Sequence, residues 1–203
     1  MSTVALLHRD LEVAWPLAAG IAAVPGFTVQ GIARDLTELR GLIGKAVPDL
    51  LIVDLMLPSG YVRSLLRDLC RPVRPRRPQV LVLALSADDP RIMEALKLGA
   101  DGYFAHGPAS PSLTEAVEQV LRGESAMTPH IAREVKSHFA GGGAVALTDA
   151  DWRLLQWTAE GFLTGEVARA LQLSAHGVGL RIRHIYRLLQ DAPYPPVRAL
   201  PAA

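Results

Sequence analysis

The chain has 203 residues, half of them hydrophobic, with 21 lysines and arginines against 20 aspartates and glutamates. That length allows one large domain or two small ones, and the near-neutral balance excludes a disordered chain or a polybasic coat, so any case for nucleic acid must come from local clustering. A lone cysteine, Cys70, excludes a disulfide framework and a cysteine-rich zinc site, and the opening apolar run, broken by His8 and Arg9, is too short for a signal peptide, which makes the cytoplasm the expected location.

Residues 4–7 predict a strand, 11–24 a helix stopped by Pro25-Gly26, 27–33 a second strand, and 35–45 a helix with Leu36, Leu39, Leu42 and Ile43 on one side. The next stretch, PDLLIVDLMLPSG, organises the rest. Four apolar residues, Leu50 to Val53, run into Asp54 and break at Pro58-Ser59-Gly60, the pattern of a buried parallel strand that delivers a carboxylate to its own end. In open α/β folds the functional crevice lies beyond the carboxyl ends of the strands, which makes Asp54 a site candidate beside the plainer reading of a turn-capping aspartate. A helix over 61–70 follows, then RPVRPRRP at 71–78, whose prolines exclude helix and inner strand. Residues 79–85 form another buried strand ending at Ser86, 89–98 a helix stopped at Gly99, 102–105 a short strand reaching His106, and 111–122 a helix ending at Gly123. Strands alternating with helices in this way predict an α/β fold, a five-stranded, doubly wound parallel sheet that brings Asp54, Ser86 and His106 to one rim.

Residues 129–139 predict one more helix before Gly141-Gly142-Gly143, a hinge composition. Beyond it the chain reads as all-α. Thr148 caps a helix that runs to about residue 160, 164–171 is a short second helix, and Ser174 caps a third that reaches about residue 189. On the third helix Val178, Ile182, Ile185 and Leu189 form an apolar face, with His176, Leu180, Arg183 and Arg187 opposite. Between Ser174 and Gln190 lie three arginines, two histidines and no acid. A helix-turn-helix with a basic outward face suits the DNA major groove; the plainer alternative is the solvated face of a three-helix bundle.

The whole chain resembles a response regulator of the NarL/FixJ type, a flavodoxin-like receiver followed by a LuxR-type helix-turn-helix. The likeness rests on Leu147-Thr148, Leu154, Leu155, Ala159, Gly161, Glu166, Val167, Ala168, Leu171, Ser174, Val178, Ile182, Ile185 and Leu189, and on VDLMLPSG, LALSA and KLGADGYFAHG in the first part. It implies a receiver over 1–123, a linker helix and hinge over 124–143, and a DNA-binding domain over 144–203. It also implies that Asp54 is the phosphoacceptor position and that Ser86, Tyr103 and His106 are switch positions. Gly179, Leu180 and Arg183 fall where the family reaches bases, and His176, Arg181, His184 and Arg187 complete the DNA-facing set.

The departures bear on mechanism. Where the family has two acids that hold Mg²⁺ with the phosphoacceptor, this chain has His8 and Arg9, and His106 stands at the lysine position. Neither imidazole nor guanidinium supplies the oxygen ligands Mg²⁺ requires, although Asp10 and Glu12 follow closely. Phosphoryl transfer to a carboxylate depends on that neutralisation. Arg9 is expected either to pair with Asp54 in place of the metal or to point to water, with no cofactor and no enzymatic activity. The chain then reads as a DNA-binding transcriptional regulator with a degenerate receiver, controlled independently of phosphorylation. Its expected partners are promoter DNA, a second copy joined through the receiver or the linker helix, and a protein at the receiver. Two alternatives stay open: orthodox control by a histidine kinase acting on Asp54, and an interaction adaptor that has lost DNA binding.

Overall fold

The computed structural model describes residues 1–69, 77–105, 112–141 and 146–191. Cys70, the basic loop up to Arg76, His106, Gly142, Gly143 and the proline-rich end from 192 onward lie outside the described residues. Five strands, β1 (Ser2–Leu7), β2 (Phe27–Ala33), β3 (Leu50–Asp54), β4 (Gln79–Ala84) and β5 (Gly102–Ala105), form one parallel sheet in the order β2-β1-β3-β4-β5. The edge strand β2 carries Thr28 and Gln30 among its apolar residues, whereas β3, with neighbours on both sides, is buried at all five positions.

The period of two along the strands divides the core. Val4, Leu6, Leu50, Ile52, Leu81 and Phe104 meet Ala18 and Ile21 of α1 (Leu11–Ala22) and Val117 and Val120 of α5 (Leu113–Leu121). On the other face Leu7, Leu51, Val53, Val80, Val82 and Tyr103 meet Leu39 of α2 (Leu36–Lys45), Leu66 of α3 (Ser59–Leu69), and Ile92 and Leu96 of α4 (Pro90–Lys97). Three of these helices begin later than their sequence period suggests, because Asp35, Asp89 and Ser112 stand outside them as N-caps that accept first-turn amides. At the other end α3 begins earlier, at Ser59.

Four further helices follow: α6 (Pro129–Ala140), α7 (Asp149–Glu160), α8 (Thr164–Leu171) and α9 (Ala175–Asp191). Thr148 and Asp151 form the capping box that starts α7, and Gly161, at φ 94°, ends it. The turn between α8 and α9 passes through Gln172 at φ 57°, a left-handed conformation seldom taken by a residue other than glycine. These helices share an apolar core with the sheet. Ile131, Val135, Leu154, Leu155, Val178, Ile185 and Tyr186 belong to the same buried cluster as Ile92, Leu96 and Tyr103. No described helix is long and apolar enough to cross a membrane.

Gly102 holds β5 against α5, since a Cβ there would lie 2.9 Å from Val120 Cγ2. Gly102→Ala should therefore destabilise the fold by about 1 kcal/mol through overpacking, read as a lower urea midpoint at unchanged slope.

Candidate nucleic-acid interface and the Asp54 crevice

Asp54 ends β3 at the carboxyl rim of the sheet. Its Oδ1 accepts the Met56 amide at 2.8 Å, and its Oδ2 lies 3.7 Å from His8 Nε2. His8 follows β1, the strand beside β3, and its Nδ1 accepts the Asp10 amide at 3.1 Å, which leaves the ring proton on Nε2 facing the carboxylate. Arg9 is exposed, so the expected Arg9–Asp54 pair is corrected to His8–Asp54. The reason is parity: successive residues leaving a strand turn to opposite faces of the sheet, and His8, in step with Val4 and Leu6, shares the face of Leu50, Ile52 and Asp54.

A cation lies nearby on α4. Arg91 donates to the Leu55 carbonyl at 2.7 Å and to both Asp89 oxygens; its bonds to Asp89, and further off the charge of Asp54, hold its pKa above the ordinary value. Asp10 does not replace the missing acids, because its carboxylate caps α1 by accepting the Glu12 amide at 2.9 Å. No group of three or more His, Cys, Asp or Glu side chains among the described residues is arranged to hold a metal. With an imidazole beside Asp54 and a guanidinium further off, the donor set does not fit Mg²⁺. Ser86 is exposed on the same rim and accepts the Asp88 amide at 3.2 Å.

Tyr103 connects this half of the molecule to the next. Its hydroxyl donates to Thr128 Oγ1 at 3.1 Å and accepts the Thr128 amide at 2.8 Å, where Thr128 is the N-cap of α6. Burial pushes its pKa up, against the opposing effect of those two bonds.

Helix α9 presents three faces. Val178, Ile182, Ile185 and Leu189 are buried, as their spacing indicates. Gly179, Arg183, Tyr186 and Gln190 follow the same steps of four, three and four one position later, and they lie against residues 100–101 and 124–126 at the edge of the α/β half. The Gly179 carbonyl accepts the Ser125 amide at 3.0 Å, Tyr186 Oη donates to the Ala126 carbonyl at 2.8 Å, and Gln190 Nε2 donates to the Ala100 carbonyl at 3.0 Å. Arg183 forms an ion pair with Asp101. The approach is close enough that a Cβ on Gly179 would lie 3.0 Å from Glu124 Cβ. On the third face Leu180, His184 and Arg187 are exposed, and His176 Nδ1 sits 2.9 Å from Glu124 Oε1.

Arg183, placed on the outward face by its sequence pattern, is thus only 5% exposed and turned toward Asp101 before β5, and Gly179 is buried with it. Arg181 is likewise engaged, donating from Nε to Asp151 and from Nη2 to Thr148 Oγ1, each at 2.8 Å, which fastens α9 to the start of α7. The residues that sequence reasoning missed are the partners: Asp101, Arg77, Glu124 and the fully buried Tyr186. Their one legible trace is a tyrosine three places beyond an arginine on the same helix, too common a spacing to be diagnostic.

No family model matches the chain. It is 25% identical over 190 residues to Transcriptional regulatory protein LiaR of Bacillus subtilis (strain 168), covering 91% of this chain and 89% of that one. To the nitrate/nitrite response regulator protein NarL of Escherichia coli (strain K12) it is 26% identical over 176 residues, covering 84% and 81%. Among solved structures it shares the fold of RcsB from Salmonella enterica serovar Typhimurium bound to promoter P1flhDC in the presence of phosphomimetic BeF3-, with TM-score 0.56 and 20% identity over 93% of this chain and 92% of that one. The sequence relatives are transcriptional and response regulators rather than enzymes, and the likeness to them spans both halves of the chain.

Burial pushes the Glu124 carboxyl up, but Arg122 and then His176 more than offset it and hold the group below the ordinary glutamate value of 4.5. A carboxyl with a depressed folded pKa contributes stability that is present at neutral pH and lost as pH falls through its folded value. Urea midpoints should therefore drop in acid, and Glu124→Gln should flatten that dependence while costing roughly 1 kcal/mol at pH 7.

Proposed function

We propose that this relative of the NarL/FixJ-type response regulators is a DNA-binding transcriptional regulator whose receiver works without metal-dependent phosphorylation, and that the form described here is its closed, DNA-excluding state. The observation that carries the reading is the position of Arg183. The strongest base-edge donor on α9 is occupied by Asp101, and segment 124–126 covers the adjoining Gly179 and Tyr186. A helix so covered cannot lie in a major groove, so DNA binding requires α9 to leave the receiver.

On release, Arg183 meets guanine edges, Arg187 and His184 meet phosphates, and Leu180 makes apolar contact, with His176 freed from Glu124 at the helix start. The division into 1–123, 124–143 and 144–203 supplies the moving parts, and a homodimer would set two such helices in successive grooves. Independence from phosphorylation is supported by the surroundings of Asp54. His8 already faces that carboxylate, Arg91 adds positive charge further off, and Asp10 is committed to a helix cap, so among the described residues the carboxylate lacks the acidic company that would hold a metal for phosphoryl transfer.

Duplexes selected from a random pool test the reading. Specific binding should fall steeply with salt, Arg183→Ala should cost about 1–3 kcal/mol of discrimination, and acetyl phosphate with Mg²⁺ should add no mass at Asp54. A phosphoryl gain that raises affinity would return the chain to orthodox kinase control, and failure of every duplex to bind would favour an adaptor role.

A further inference from the structure

The closed state turns on Asp101, whose carboxylate is fully buried in front of β5. Arg77 grips it with both guanidinium nitrogens, Nη1 to Oδ2 and Nη2 to Oδ1, each at 2.9 Å, and the Val80 amide donates to Oδ2 at 2.6 Å. Arg183 Nη2 pairs with the same Oδ1 that Arg77 Nη2 holds. The two arginines come from opposite sides of the junction. Arg77 precedes β4 and belongs with the sheet, whereas Arg183 departs with α9.

A buried carboxylate whose only cation leaves with a moving helix resists that departure, because the charge left behind is stranded. Arg77 removes this obstacle. We propose that Arg77 is a release residue built into the receiver: it competes with Arg183 for Asp101 and keeps the carboxylate neutralised once α9 has gone. Two guanidinium groups on one carboxylate also repel each other, so each weakens the other's hold. The side chain of Arg77 is 32% exposed, against 6% for Arg183, so it stays wetted and in place in either state. The closed state is accordingly strong enough to cover α9 but is kept from being permanent by a residue that never touches DNA. This inference rests on reading the described form as the closed state.

Opening can be read without DNA. The Ser125 amide donates across the junction to the Gly179 carbonyl, so its hydrogen exchange in the full chain reports how often α9 lifts away. Arg77→Gln should slow that exchange about tenfold, while amides of β3 keep their native protection, and Arg77→Lys, which retains the charge, should restore most of the native rate. Exchange that is unchanged or faster in Arg77→Gln with β3 still protected overturns the proposal, as does a lysine variant as slow as the glutamine one. Should Arg77→Gln fail to fold, Arg183→Gln decides, since its Ser125 exchange must accelerate and an unchanged rate refutes the shared grip. Because no DNA enters the measurement, a chain that opens and closes as described yet binds no duplex counts against the functional reading alone.

Discussion

A carboxylate with no exposure to solvent is a demand that the surrounding chain has to meet, and Asp101 makes that demand at the amino end of β5. Three regions answer it: Arg77 two places before β4, an amide of β4 itself, and an arginine from the far helix α9. The backbone of the same residue extends the arrangement, since its carbonyl accepts Ser125 Oγ at 2.6 Å and so fixes the segment that follows α5. That segment in turn offers the Ser125 amide to Gly179 and the Ala126 carbonyl to Tyr186. One buried charge thereby sets where two halves of the molecule touch.

Packing reinforces the polar contacts by a separate route. Tyr103 reaches from β5 to both hydrogen-bonding groups of Thr128, and Thr128 starts α6, which lies along α7. Ile131 and Val135 of α6 then join the apolar cluster shared by α4, α7 and α9. Gly179 contributes by what it lacks. At this position the chain has bare backbone, and Glu124 occupies the space that a side chain would need. Its carboxylate is balanced by Arg122 and His176, so the close approach leaves no charge unpaired.

The order of strands and helices was legible because it is written in local periods: apolar runs stopped by Pro or Gly for the strands, and three-and-four spacing for the helices. Helix starts shifted where Asp35, Asp89 and Ser112 cap a helix without belonging to it. Asp54 and Ser86 were legible as rim residues because strand ends determine them. The fate of Arg183 was not. A helical wheel sees only its own helix, and an arginine opposite an apolar face looks solvated until a distant part of the chain provides an acid. His8 and Arg9 fail for a related reason, since a pattern can locate the end of a strand without settling which of two neighbouring side chains turns inward.

Asp54 closes the carboxyl end of β3, while Asp101 sits before the amino end of β5, about 10 Å apart along the strand direction by the strand rise and with β4 between them. Among the described residues, the partners of Asp54, Met56 and His8, are not those of Asp101, Arg77, Val80 and Arg183. Substitutions can therefore rewrite one end of the sheet while leaving the other mechanically intact, and a change of the groups beside Asp54 need not loosen anything at Asp101. A molecule built this way can exchange the stimulus it answers to without redesigning the motion with which it answers.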